Sequence, residues 1–332
     1  MTFELWWLLG LPLFFVLGWM AARIDIKDLM SESRGLPLSY FKGLNFLLNE
    51  QPDKAIETLL EVARNDPQTV ELHFSLGNLF RRRGEVERAI KMHQNLLDRP
   101  DLDRKQRLEA VFELGQDFLK AGFLDRAENL FVKLKGTDLE RQGLSFLVDI
   151  YEQEKDWEKA IEASRNIHKF HKVSKAKEIA NYYCELALIS LEKFDYSKAE
   201  GDLSQAMREN RKCVRSQIIL GDISLRNNDF DRAIECWKKI EKQDPKYLSL
   251  VAQRLIDAYE AKGKAKQGLG LLAEYLSRYP SYDLLNIFGD GVCKFESTAQ
   301  SYKLVRKEVV KNPTLLGLNK LLELQILDTK NN

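Results

Sequence analysis

From Leu38 onward, stretches in which apolar residues return every third or fourth position alternate with short polar breaks, and no run alternates strictly in twos. That spacing predicts amphipathic helices and no strands. The helical segments also resemble one another. A small residue recurs in DKAIETLL, ERAIKMHQ, DRAENLFV, EKAIEASR, SKAEGDLS and DRAIECWK, at Ala55, Ala89, Ala127, Ala160, Ala199 and Ala233, with successive spacings of 34, 38, 33, 39 and 34. A period of about 34 residues with two helices per unit is the tetratricopeptide signature.

Other positions keep the same register. Twelve residues before the alanine stands a small residue preceded by Leu, as in Leu76-Gly77, Leu114-Gly115, Leu186-Ala187 and Leu220-Gly221. Large aromatics follow at Phe80, Phe118 and Tyr151, and Pro67 and Pro245 close their units. Small residues let two helices approach, large ones fill the space between them, and proline cannot continue a helix. Gly84, Gly122 and Gly263 fall at the turn inside a unit, where a positive φ costs glycine little. Two weaker units carry Gly268 and Ser301 in the alanine position. The expectation is an all-α tetratricopeptide repeat solenoid over residues 39–332, with about eight helix pairs and a last helix from Leu315 to Leu327. The 38 and 39 spacings predict longer connections near Asp101 to Lys105 and Phe170 to Lys177.

The first residues follow another pattern. Leu5 to Ala22 is an uncharged run of 18 residues, which as a helix spans about 27 Å, close to a bilayer's hydrocarbon thickness. Trp6, Trp7 and Trp19 sit near its ends, at headgroup level. Only Glu4 precedes the run, which argues against a cleaved signal peptide. Arg23, Lys27 and Arg34 all follow it, so the positive-inside bias places the rest of the chain in the cytoplasm. Residues 1–23 are thus expected to be a transmembrane anchor in contact with lipid, and 24–38 a juxtamembrane linker.

Composition narrows the function classes. Lys plus Arg number 51 against 50 Asp plus Glu, so no net field draws the chain to nucleic acid. The four cysteines, Cys184, Cys213, Cys236 and Cys293, form no C-x-x-C pair and read as reduced thiols buried on helices. The segment GKAKQGLG lacks the ending of a phosphate-binding loop, and neither G-x-S-x-G nor H-E-x-x-H occurs. His168 and His171 share a helix face without the further ligands a metal needs; His73 and His93 fall on packing positions. No catalytic, cofactor or metal residue is expected in this chain, and it is not expected to be an enzyme.

Solenoids of helix pairs use an extended concave surface for binding. In this register the inner helices present Asn78, Arg81, Arg82, Phe112, Gln116, Lys120, Asp149 and Glu152 as candidate partner contacts, with Phe112 as an aromatic anchor and Arg81 as a charged donor. Arg81, Arg82 and Arg83 also complement the end of a helix dipole.

The runs FKGLNFLLNEQPDKAIE, TVELHFSLGNLFRRRGEVERAIKMHQNLL, AGFLDRAENLF and EIANYYCELAL, together with the single N-terminal span, closely resemble the lipopolysaccharide assembly protein B family of Gram-negative bacteria. The resemblance covers nearly the whole chain and is most specific in the first three repeats. It implies a single-pass inner-membrane protein facing the cytoplasm. It further implies an adaptor for the membrane AAA protease FtsH that promotes degradation of the deacetylase LpxC. A non-proteolytic scaffold for lipopolysaccharide assembly and transport proteins is the alternative. The family also carries a C-terminal rubredoxin-like module that binds iron or zinc through two C-x-x-C pairs; those cysteines have no counterpart in this sequence.

Overall fold

The computed structural model describes residues 51–65, 70–170 and 174–331, with isolated positions before residue 51. The expected anchor at 1–23, apart from Phe15, Val16 and Trp19, lies outside the described residues, as do the linker at 24–38, Pro67 and His171. Among the described residues no helix is long and apolar enough to cross a membrane.

All regular structure in the described residues is helical: α1 (Pro52–Asn65), α2 (Val70–Arg83), α3 (Val86–Leu97), α4 (Arg104–Lys120), α5 (Leu124–Val132), α6 (Glu140–Glu154), α7 (Trp157–Phe170), α8 (Ala176–Glu192), α9 (Tyr196–Glu209), α10 (Val214–Arg226), α11 (Phe230–Gln243), α12 (Ser249–Ala261), α13 (Ala265–Arg278), α14 (Tyr282–Phe295), α15 (Thr298–Lys311) and α16 (Leu315–Asn331). The fold is a tetratricopeptide repeat solenoid. From α2 to α15 the helices follow as pairs; α16 packs on α14 and α15 and runs on to Asn331, beyond its expected end. Two compact units divide within α6, one ending at Gly143 and the other starting at Leu144.

The six alanines that mark the repeat are all wholly buried. Four of the pairs have a second contact in register: a glycine on the first helix lies under a larger residue sixteen positions later on the second helix. A Cβ on Gly115 would sit 2.8 Å from the Phe131 ring, and one on Gly221 would sit 2.1 Å from Trp237 Nε1. Gly77 lies against His93 in the same way, and Gly289 against Val305. In the weaker last unit Ser301 replaces the alanine and keeps its place by donating to the Gly289 carbonyl at 2.7 Å. The pairs thus close because backbone, and not side chain, faces each large group.

The turn is equally regular in six of the seven pairs, the α14–α15 turn being the exception. At Gly84 the amide donates to the Arg81 carbonyl, and that of Glu85 donates to Phe80, the two bonds of a Schellman cap. The same two bonds recur at Gly122, Lys155, Phe194, Asn228 and Gly263, and all six residues have positive φ. Three of them are not glycine, and each of these three is followed by an aspartate that caps the next helix. Asp156 accepts from Lys159 N, Asp195 from Lys198 N and Asp229 from Arg232 N, at 3.0–3.2 Å. The left-handed conformation costs an ordinary residue about 1–2 kcal/mol, and an Asp N-cap contributes about 1 kcal/mol. Strain and cap are paired in the same turns.

The long repeat spacings, expected to appear as longer connections, go mainly into helix. Both α4 and α8 have 17 residues, whereas α10 and α12 have 13. In α4 the cause is a capping box: Asp103 accepts from Gln106 N at 2.7 Å and the Gln106 side chain accepts from Asp103 N, so the helix starts at Arg104. The short spacing after Ala127 has the opposite origin. After α5, only 9 residues long, Gly136 turns with φ 77° and the Thr137 hydroxyl donates to the Leu134 carbonyl.

Candidate partner-binding surface

The candidate contacts lie on the first helices of successive pairs. In the first unit, α2 carries Asn78, Arg81 and Arg82, and α4 carries Phe112, Gln116 and Lys120. Asp149 and Glu152, on α6, belong to the second unit.

Arg81 is held by its own protein. One guanidinium nitrogen donates to Asp117 Oδ1 at 2.7 Å and the Glu113 carbonyl at 3.2 Å; the other donates to Glu113 Oε2 at 2.5 Å and Asn78 Oδ1 at 2.6 Å. Its side chain is only 16% exposed. Asp117, wholly buried, shares its other oxygen with His93 Nδ1 at 2.5 Å. His93 fills the slot held by Phe131 and Trp237 in other repeats, and its Nε2 is buried without a partner. The result is a polar relay, Asn78–Arg81–Glu113/Asp117–His93, that binds α2 and α3 to α4. Its fixed charges set the register of consecutive pairs. Gln116 joins the edge of this relay by donating to Glu113 Oε2 at 3.2 Å. Arg82 and Lys120 are exposed.

Phe112 faces a different environment. It is half-buried, edge-on to Phe131 with ring centroids 6.0 Å apart. It forms part of a cleft of about 710 Å³ between α4 and the segment from Gly136 to Gln142. Leu108 and Leu139 extend the apolar floor, while Arg104, Lys105 and Glu109 put both signs of charge around it. The Glu109 carboxyl is pushed above the ordinary carboxylate range by desolvation and then by Glu113. Sequence reasoning named Phe112 but missed Leu108 and Glu109, which stand four and three residues earlier and so share its helix face. A cleft with an aromatic floor and a charged rim suits an apolar side chain on a protein segment.

In the second unit Glu152 accepts a hydrogen bond from the Tyr182 hydroxyl on α8. Tyr182 stacks on Trp157 with centroids 5.8 Å apart, and desolvation followed by the Glu152 bond pushes its phenol well above the ordinary range. Exposed Asp149 is also raised, by desolvation and then by the Glu152 carboxylate.

Cys184, Cys213 and Cys236 are buried and Cys293 is half-buried. Among the described residues no group of three or more His, Cys, Asp or Glu is placed to hold a metal ion. The four thiols are thus not gathered into the tetrahedral set of a rubredoxin-like module.

The chain is similar in sequence to known proteins. The tetratricopeptide repeat family matches residues 42–98 and 184–247. Lipopolysaccharide assembly protein B of Escherichia coli (strain K12) is 32% identical over 315 residues, covering 94% of this chain and 81% of that protein. The protein of the same name from Haemophilus influenzae is 33% identical over 260 residues, covering 75% of this chain and 65% of that one. Among solved structures, the C-terminal part of a TPR repeat-containing protein from Cytophaga hutchinsonii is 11% identical, covering 80% of this chain and 98% of that chain with a TM-score of 0.45.

Proposed function

The chain belongs to the lipopolysaccharide assembly protein B family, and on that footing we propose that it acts in lipopolysaccharide assembly as a protein-binding adaptor. Its finer role in this reading is to bring the deacetylase LpxC to a membrane AAA protease of the FtsH type. The observation that carries the binding role is the cleft around Phe112, whose apolar floor opens on the first helix of a repeat pair. Arg81 is not the charged donor in this reading, because Asp117 and Glu113 already hold it.

Residues 1–23 serve in this proposal as a single-pass inner-membrane anchor, with the repeats on the cytoplasmic side. Tethering adaptor and protease to one membrane makes their encounter intramolecular, which raises avidity by about two to four decades without new contacts. The test is the lifetime of the deacetylase in cells depleted of this protein. The proteolytic reading expects a longer lifetime, restored by the wild-type chain and not by Phe112→Asp. An unchanged lifetime rejects the protease role and leaves the non-proteolytic scaffold for assembly and transport proteins.

A further inference from the structure

Cys184 lies inside α8, Cys213 stands at the N-cap of α10, and their sulfurs are 3.8 Å apart although 29 residues separate them in sequence. The two helices are the first helices of consecutive pairs and touch each other. We propose that Cys184 and Cys213 are a modification site, forming a reversible disulfide that ties these two pairs together when the protein meets a peroxide.

The two thiols differ in environment. The contact with Cys184 lowers the Cys213 thiol to about 6 against the opposing effect of burial, with smaller help from Ser216 and the Arg215 amide at the start of α10. The Cys184 thiol is pushed up by its contact with Cys213 and then by burial. Cys213, at the start of α10 where the helix dipole favours a thiolate, is the attacking sulfur, and Cys184, inside α8, the resolving one. The Cys213 thiolate attacks hydrogen peroxide: an S–O bond forms, the O–O bond breaks, and hydroxide leaves to take a proton from solvent. The Cys184 sulfur then attacks the sulfenic sulfur, an S–S bond forms, the S–O bond breaks, and the thiol proton departs with the hydroxyl as water. Two electrons pass from the thiols to the peroxide. Reaching a bond of about 2.05 Å requires the sulfurs, now 3.8 Å apart, to close by about 1.75 Å.

The experiment treats the purified full chain with hydrogen peroxide, denatures it in a thiol-alkylating reagent, and maps the peptides. The expected result is a linked peptide pair containing Cys184 and Cys213, lighter by two hydrogens and lost on treatment with dithiothreitol. Alkylatable thiols fall from four to two, Cys236 and Cys293. Amide exchange in α8 and α10 slows in the oxidised chain. In Cys184→Ser, Cys213 is trapped as a sulfenic acid by a dimedone probe; in Cys213→Ser, Cys184 stays reduced. Oxidation confined to the more accessible Cys293, with no linked pair in the wild-type chain, overturns the proposal independently of how the variants fold.

Discussion

Replacing Asp117 by alanine removes a buried carboxylate that accepts from both Arg81 and His93. Two losses follow. His93, whose Nε2 has no partner, loses its Nδ1 bond as well, and an unsatisfied buried polar group costs about 1–3 kcal/mol. Arg81 loses one of its two anionic partners. Breaking a buried ion pair costs about 3–5 kcal/mol, but Arg81 keeps Glu113 and Asn78 and is partly open to water, so the lower end applies. Taking the lower end of each, the expected total is about 4 kcal/mol. Asp117→Asn, which keeps the shape and one acceptor, should cost about half of that. Arg82→Glu, one residue from Arg81 but exposed, should change stability by about 0.5 kcal/mol or less. Urea unfolding followed by circular dichroism gives the size. Amide exchange shows where it falls, which matters because repeat arrays need not unfold as one unit. The loss should concentrate in α2 to α5, and an Arg81→Ala/Asp117→Ala cycle should show coupling above about 1 kcal/mol. If Asp117→Ala costs no more than Arg82→Glu, the relay does not join the repeats and Arg81 returns as a candidate partner contact.

Phe194 is 78% exposed with φ 60°, so Phe194→Gly relieves strain at little cost in contacts. Set against the extra freedom glycine gives the unfolded chain, the gain is about 0.5–1 kcal/mol in urea unfolding; a loss would show that the turn is not strained. The reciprocal change, Lys264→Asp, supplies the missing cap at the Gly263 turn and should gain about 1 kcal/mol. Gly221→Ala drives a methyl into the Trp237 ring and should cost about 1–3 kcal/mol despite alanine's better helix propensity. Part of that loss should return with Trp237→Leu, and an unchanged unfolding midpoint would contradict the packing described. For Glu109, the raised folded value means that stability is fully present at low pH and declines as pH rises from the unfolded value through the folded one. Glu109→Gln should therefore match wild type in acid and be slightly more stable above the carboxylate range, as read from thermal unfolding against pH. A gain confined to acid would reverse the assigned direction.

The repeat was legible because it depends on absence of bulk. Gly77, Gly115 and Gly221 are the residues whose missing Cβ makes room for His93, Phe131 and Trp237, and such positions show in the sequence as small residues at a fixed period. Gly84, Gly122 and Gly263 were legible as turns for a similar reason. Lys155, Phe194 and Asn228 were not, since nothing about lysine or phenylalanine announces a positive φ. The signal was in the next residue: each precedes an aspartate that opens a helix. The same shift from residue to register applies to the candidate surface. Asn78, Arg81 and Glu152 suggested partner contacts because each was considered on its own helix. One repeat further along stand Glu113 and Asp117 for Arg81, and Tyr182 for Glu152. In a stacked array the nearest partner of a charged side chain on a first helix is the first helix of the next pair, about one period away in sequence. A charge matched there is already satisfied, and making it available to another protein means breaking a part-buried ion pair. Phe112 instead lines an open cleft with Leu108 and Leu139. Pairing each charge across the repeat period first therefore moves the weight of recognition from Arg81 to Phe112, and that preference follows from the geometry of stacking.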